Sequence, residues 1–170
     1  ESDGQGTILT TEACLLSPNR NGYASRDEAE ALLRRTLGAR RVLWLGHGHL
    51  AGDDTDSHVD TLARFCTPNM IAYVSCDDPG DEHHAELKKM EDELRAMRTL
   101  DGRPYALVPL PMSEPALEDG RRLPATYANF LIINGAVLMP TYASPWDAVA
   151  SDRLRQAFPG REIVGIDCRP

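Results

Sequence analysis

The stretch GDDTDSHVDTLARF, from Gly52 to Phe65, places four aspartates around a single histidine just ahead of an apolar run. A carboxylate can hold a cationic group such as a guanidinium through paired hydrogen bonds. An imidazole can give a proton to a leaving amine and then take a proton from water. These residue types therefore fit a site that binds a cation and moves protons.

The alternation of HVDTLARF predicts a β-strand. On a strand, His58 and Asp60 are two residues apart and project from the same face. The other three aspartates, Asp53, Asp54 and Asp56, precede the strand in a loop, where a rigid scaffold often holds functional residues. The pattern alone is more often that of a satisfied polar pair at a strand edge beside a solvated loop.

Metal binding is a weaker interpretation of the same residues. Asp54, Asp56 and His58 could ligate a divalent cation, but the calcium-loop pattern also needs a glycine and a distal glutamate, which are missing here. We therefore expect neither a metal ion nor another cofactor.

Composition excludes several classes of protein. The 170 residues carry a formal net charge of -8, with a pI of about 5.1, which argues against nucleic-acid and anionic-membrane partners. No apolar run approaches the ~20 residues of a membrane span, and no signal peptide is visible. Four cysteines without zinc-site spacing indicate reduced thiols and a cytoplasmic location, and they are Cys14, Cys66, Cys76 and Cys168.

Three helices are predicted at intervals of roughly sixty residues. The first runs from Ser25 to Leu37, with Ser25 and Glu28 as a capping box and Gly38 as the C-terminal cap. The second covers about 81–97, and the third opens at Ser144-Pro145.

Each predicted helix is preceded by two strand-like runs and followed by one. In the first unit both runs lie in GTILTTEACLLSP, and in the third they flank Asn134-Gly135, a strong hairpin signal. The order ββαβ therefore occurs three times, in units of roughly 7–46, 59–110 and 127–167. We predict one α/β domain over 1–170, built from repeated units that stack around an axis.

Four separated motifs occur in the order of a known family. They are DGQGTILTTEACLLSPNRN, VLWLGHG followed by GDDTDSHVDTLARF, ATYANFLIINGAVLMP, and FPGREIVGID. Over nearly the whole chain the sequence resembles the agmatine deiminase and bacterial peptidyl-arginine deiminase-like family of guanidine-modifying enzymes.

The resemblance implies a pentein-like fold, a fivefold propeller of ββαβ units of which this chain supplies about three. It also implies a hydrolase for a small cationic guanidine. A cysteine thiolate attacks the guanidinium carbon of agmatine, ammonia leaves, and water hydrolyses the covalent intermediate to N-carbamoylputrescine.

The resemblance assigns roles to residues of the acidic stretch. His58 aligns with the acid/base histidine, and Asp60 with the aspartate that grips the guanidinium. Asp54 aligns with a substrate-pocket residue, and Asp56 with a residue that shapes the loop. Ser57 stands where the family has a glycine.

Two family residues are expected outside this chain. The nucleophilic cysteine belongs to a glycine-rich motif that would follow Pro170, so none of the four cysteines is assigned that role. The substrate-binding glutamate would precede Glu1, so neither Glu1 nor Glu12 is that residue. We expect the 170-residue fragment alone to be inactive.

Two other functions remain open from the sequence. A free or peptidyl-arginine deiminase would use the same guanidinium chemistry, and a non-catalytic fragment could bind a cation without chemistry. A homodimer is also left open. Among other polar residues, Arg20 is expected to bond loop carbonyls, and His83 and His84 are expected at the surface.

Overall fold

The computed structural model describes residues 1–20, 22–23 and 25–169. In chain order its elements are β1 (Thr7–Thr11), α1 (Glu12–Leu15), α2 (Arg26–Leu37), β2 (Arg41–Leu45), α3 (Val59–Leu62), β3 (Ala63–Thr67), β4 (Met70–Ser75), α4 (His84–Ala96), β5 (Ala106–Pro111), β6 (Ala116–Glu118), β7 (Arg121–Leu123), β8 (Leu131–Ile133), β9 (Ala136–Thr141), α5 (Trp146–Ala157) and β10 (Glu162–Asp167).

Two sheets share one topology. Sheet 2 has the order β3-β4-β5, and sheet 3 has the order β8-β9-β10. In each, the first two strands are antiparallel and the last two are parallel. A parallel pair needs a crossover connection, and α4 and α5 supply it. The mixed α/β class is confirmed, with the ββαβ order in both sheets.

The first unit differs from the prediction. Sheet 1 pairs β1 with β2 in parallel, but the EACL run forms α1 instead of a second strand. The Thr11 hydroxyl accepts a hydrogen bond from the Cys14 N–H and so caps this turn of helix. The antiparallel neighbour of β1 is the segment that precedes it in the chain. Ser2 forms an antiparallel bridge with Ile8, and the Leu9 N–H donates to the Glu1 carbonyl at 2.9 Å.

The strand predicted over HVDTLARF is also wrong in its first half. Val59–Leu62 form one turn of helix, and β3 begins only at Ala63. The His58 carbonyl accepts both the N–H and the hydroxyl of Thr61, which closes the turn. The turn directs Leu62 into the core, where it is fully buried.

Local signals elsewhere are confirmed. The Ser25 hydroxyl accepts the Glu28 N–H at the start of α2. Gly38 ends this helix with φ of 68°, a left-handed conformation that suits glycine. The Asn134-Gly135 turn joins β8 to β9, with Gly135 at φ of 80°.

Helices separate the three sheets. Helix α4 contacts β4 of its own sheet and β2 of sheet 1, while α5 contacts β10 of its own sheet and β5 of sheet 2. The largest fully buried side chains form one cluster between these layers and include Leu9, Leu62, Leu94, Tyr127 and Phe130. Among the described residues, no helix has the length and apolar character needed to cross a membrane.

The Arg64 guanidinium joins parts of all three units. Its Nε and Nη2 lie 2.9 and 2.8 Å from Glu1 Oε1. Its Nη1 donates to the Phe130 carbonyl, and its Cζ lies 5.1 Å from the centre of the Phe130 ring. The Arg64 side chain is only 18% exposed, so water screens these contacts weakly.

We expect Arg64→Ala to lower the free energy of unfolding by about 2–4 kcal/mol, because it leaves the Glu1 carboxylate unpaired in a largely buried setting. Arg35→Ala, at an exposed position of α2, is the matched control and should change it by less than about 0.5 kcal/mol. Urea unfolding followed by circular dichroism measures both. Equal losses in the two variants would contradict the bridging role.

Candidate functional site

The candidate site lies where corresponding edges of the three sheets meet. Thr11 ends β1, while His58 and Asp60 precede β3 and Asn129 precedes β8. The Thr11 hydroxyl donates to the Ser57 carbonyl at 2.7 Å, and Asn129 contacts Asp60. Segments far apart in the sequence are therefore held together here.

His58 and Asp60 lie next to each other, as predicted, although not on a strand. His58 Nδ1 is 3.9 Å from Asp60 Oδ1, and the side chains are 33% and 44% exposed. His58 occupies the N-cap position of α3 but its side chain makes no capping bond. Within the part of the chain that the structure describes, His58 Nε2 is buried without a hydrogen-bond partner. The imidazole is therefore left available for a partner that the described residues do not supply.

The Asp60 carboxylate is oriented by Asn129, a residue that the sequence reasoning missed. Asn129 Nδ2 donates to Asp60 Oδ2 at 3.0 Å and also lies 3.4 Å from the Asp60 carbonyl. With Oδ2 held by the amide, Oδ1 remains on the side of His58. The only signal in the sequence was a polar residue inside the apolar run YANFLII.

Asp53 organises the loop before His58. Its Oδ1 accepts the Thr55 N–H at 3.0 Å as well as the Thr55 hydroxyl, and its Oδ2 accepts the Ser57 N–H at 2.7 Å. Burial by itself would raise the pKa of Asp53, but the hydrogen bonds from Thr55 and Ser57 outweigh it and lower that pKa. Asp53 therefore acts as an ionised internal brace for the loop.

The end of this loop has unusual backbone geometry. Asp56 and Ser57 have φ of 60° and 54°, in the left-handed region that favours glycine. A glycine would adopt this conformation freely, whereas Ser57 is strained by about 1 kcal/mol or more. The Arg20 guanidinium supports the loop from outside, since Nη2 donates to the Thr55 carbonyl at 3.4 Å and Nε lies 3.6 Å from Asp56 Oδ2. The expectation that Arg20 bonds a loop carbonyl is confirmed.

Asp54 is exposed and points to a different neighbourhood. It lines a cavity of about 320 Å³ together with Gly52 and the β6–β7 hairpin, which carries Arg121 and Arg122. The loop is pressed against this hairpin, because a Cβ added at Gly52 would lie 2.3 Å from the Arg122 carbonyl oxygen.

The cysteine thiols near these elements are not activated. Burial raises the pKa of Cys14, and the charges of Asp56, Asp60 and Asp53 raise it further, against a lowering by Arg20. Burial also raises the pKa of Cys66 to about 12 and raises that of Cys76. A nucleophilic cysteine needs the opposite shift.

Two glutamates that precede this stretch in the chain are paired with arginines. Glu1 pairs with Arg64, and Glu12 pairs with Arg26. Across the described residues, no group of three or more His, Cys, Asp or Glu side chains is arranged to hold a metal ion.

Comparison with known proteins gives consistent matches. The model of the Porphyromonas-type peptidyl-arginine deiminase family matches residues 1–170. A Vibrio parahaemolyticus protein provisionally named agmatine deiminase is 37% identical over 99% of this chain and 51% of its own length. The chain thus spans about half the length of the curated relatives it matches.

Solved structures agree with this. A Porphyromonas gingivalis protein provisionally described as an arginine deiminase has a TM-score of 0.96 and 58% identity, over 100% of this chain and 50% of that one. A cysteine-to-serine variant of the C. jejuni agmatine deiminase with substrate bound has a TM-score of 0.92 and 40% identity, over 98% of this chain and 48% of that one.

We expect Asp53→Asn to lower the free energy of unfolding by about 1–2 kcal/mol at pH 7, because an amide cannot accept all the bonds made by the carboxylate. Since the folded-state pKa lies below the ordinary value of 3.8, the wild-type advantage is complete above that pH and is lost as the pH falls below it. Asp54→Asn, at the exposed neighbouring position, is the control. Urea unfolding at pH 7, 5 and 3 tests this, and a pH-independent difference would contradict it.

Proposed function

The chain belongs to the Porphyromonas-type peptidyl-arginine deiminase family, and from this membership we propose that the protein containing it hydrolyses a small aliphatic guanidine. The substrate we favour is agmatine, which with one water gives N-carbamoylputrescine and ammonia. The observation that carries the proposal is the Asp60 carboxylate, oriented by Asn129 beside Nδ1 of His58, whose buried Nε2 has no hydrogen-bond partner among the described residues.

Asp60 is proposed as the group that holds the guanidinium. A carboxylate binds a planar guanidinium through parallel N–H···O bonds, and this geometry requires a fixed carboxylate plane. The Asn129 bond supplies that constraint. The other carboxylate oxygen, Asp60 Oδ1, lies on the side of His58 and can accept a hydrogen bond from the substrate.

His58 is proposed as the acid/base. Its imidazolium form gives a proton to the departing ammonia, and its neutral form then takes a proton from the attacking water. The bond that breaks is the one between the guanidinium carbon and the leaving nitrogen, and a water oxygen finally replaces that nitrogen.

The nucleophile is proposed to lie outside these 170 residues. The raised pKa values of the Cys14, Cys66 and Cys76 thiols support this, because each would be protonated and weakly nucleophilic at neutral pH. On this proposal the isolated chain binds a cation at most, and turnover needs the rest of the protein. A binding fragment without chemistry is the alternative of another class.

Asp54 is proposed to face the distal end of the substrate. Its exposed carboxylate lines the cavity beside the β6–β7 hairpin and would attract the ammonium group of agmatine. The same cavity is also lined by Glu118 and Asp119 and by Arg121 and Arg122, of which Arg122 is paired with Glu82. Arg121 favours a second candidate, an arginine or peptidyl-arginine deiminase that recognises a carboxylate there. Comparing kcat/KM for agmatine and arginine distinguishes the two.

We also propose that the chain forms about three of five units in a propeller. Each of α4 and α5 lies between its own sheet and the preceding one, whereas the outer face of sheet 3 is partly exposed in the described part of the chain. That face is apolar and partly exposed, with Leu131, Ile133 and Ile166 at 54%, 41% and 43%. A following ββαβ unit in the full-length protein would bury it. A homodimer and a cytoplasmic location stay predictions.

We expect His58→Ala in the full-length protein to lower ammonia release from agmatine by at least about 10²-fold, since general acid/base catalysis is lost. The melting temperature should stay near that of the wild type, because the His58 side chain makes no capping bond. His84→Ala, on the first residue of α4, is the control. Near-normal ammonia release from His58→Ala would refute the proposed function.

We expect Asn129→Ala to lower kcat/KM by about 10–100-fold, because a hydrogen bond to a charged group contributes about 1.5–3 kcal/mol. Asn129→Asp should be worse, since it sets a second carboxylate against Asp60. The exposed turn residue Asn134, changed to Ala, is the matched control. Steady-state kinetics with agmatine test the order, and an Asn129→Ala enzyme with wild-type kcat/KM would contradict it.

A further inference from the structure

His83 is buried, which contradicts the surface position expected from the sequence. Its side chain is only 1% exposed. It precedes α4 and lines a small pocket with Leu50 and Ala51. A buried histidine of this kind requires partners for both ring nitrogens.

Both nitrogens of His83 have partners. Nδ1 lies 2.6 Å from Asp81 Oδ1, which also accepts the His83 backbone N–H at 2.8 Å. Nε2 accepts the N–H of Ala51 at 2.9 Å. Because Nε2 is an acceptor, the ring is the neutral tautomer with its proton on Nδ1, shared with Asp81. The Ala51 N–H therefore donates to the imidazole, and the imidazole in turn donates to the Asp81 carboxylate.

Ala51 begins the loop that leads to His58. The next residue, Gly52, has φ of 90° and sits against the Arg122 carbonyl, so the backbone has little room to shift there. Asp53 braces the middle of the loop, and Ser57 is tied to Thr11 at its end. The hydrogen bond from the Ala51 N–H to His83 fixes the end of the loop that is remote from Thr11.

We propose that His83, oriented by Asp81, is a positioning residue that fixes the 51–57 loop and thereby places Asp54 and His58 for the substrate. Loss of the Nε2 acceptor leaves the partly buried Ala51 N–H without this partner, so the loop moves to regain a hydrogen bond. The catalytic consequence rests on the proposed function, but the effect on the loop does not.

Two amide variants separate the roles of the two nitrogens. In His83→Gln, the side-chain oxygen can reach the position of Nε2 and accept the Ala51 N–H. In His83→Asn, the shorter amide can replace Nδ1 toward Asp81 but cannot reach Ala51. Both remove the imidazole and both are polar, but Asn is one methylene shorter than Gln and leaves the larger cavity. His83→Met, which has the length of Gln but no oxygen acceptor, is the control for lost packing and should exchange like His83→Asn.

The test uses the full-length protein and two measurements on each variant. Hydrogen–deuterium exchange without substrate should show the 50–57 peptide exchanging at least tenfold faster in His83→Asn than in wild type, with His83→Gln close to wild type. Steady-state kinetics should show kcat/KM for agmatine falling at least tenfold in His83→Asn, chiefly through KM, and recovering in His83→Gln.

The outcomes are distinguishable. Unchanged exchange of the 50–57 peptide in His83→Asn, or equal changes in the Asn and Gln variants, overturns the positioning role. If exchange responds as expected while the wild-type protein releases no ammonia from agmatine, the positioning of the loop is supported and the proposed function alone fails.

Discussion

The Arg64 guanidinium connects parts of all three sheets through one side chain. It neutralises the Glu1 carboxylate beside sheet 1, belongs to β3 of sheet 2, and donates to the Phe130 carbonyl just before sheet 3. A guanidinium suits this place because its planar fork can donate in several directions at once while its face lies against an aromatic ring. Asn129, which contacts Asp60, is the neighbour of Phe130. The Arg64 contact with Phe130 and the Asn129 contact with Asp60 are therefore made at adjacent residues, so a shift in one would disturb the other.

The aspartates of the 53–60 stretch concentrate negative charge, and their mutual repulsion destabilises the folded state. Asp53 is neutralised in effect by N–H and O–H donors of its own loop, and Asp56 lies 3.6 Å from the Arg20 guanidinium. Asp60 receives the neutral Asn129 amide, and Asp54 is exposed at a cavity. Among the described residues neither of these two carboxylates is paired with an arginine or a lysine, and both are proposed to contact the substrate. A guanidinium with a distal ammonium would supply the missing positive charge.

Sequence reasoning succeeded where a local interaction decides the structure. The Ser25 cap, the Gly38 end of α2 and the Asn134-Gly135 hairpin each depend on neighbours in the chain. It failed at Val59–Leu62, where the alternating pattern predicted a strand. Thr61 instead closes a turn of helix by bonding the His58 carbonyl. His58 and Asp60 were identified correctly as neighbours, since two residues apart are close on either structure. Asn129 and His83 were missed because their partners lie 69 and 32 residues away, beyond the reach of periodicity.

The most direct test of the account is a crystal structure of the full-length protein with agmatine bound, in a variant whose nucleophilic cysteine is replaced by serine. The account predicts both guanidinium N–H groups of one edge within about 2.7–3.2 Å of the Asp60 carboxylate, with His58 Nε2 against the leaving nitrogen. A guanidinium bound away from Asp60, or an Asp60 carboxylate turned toward Asn129 and His58 alone, would contradict it.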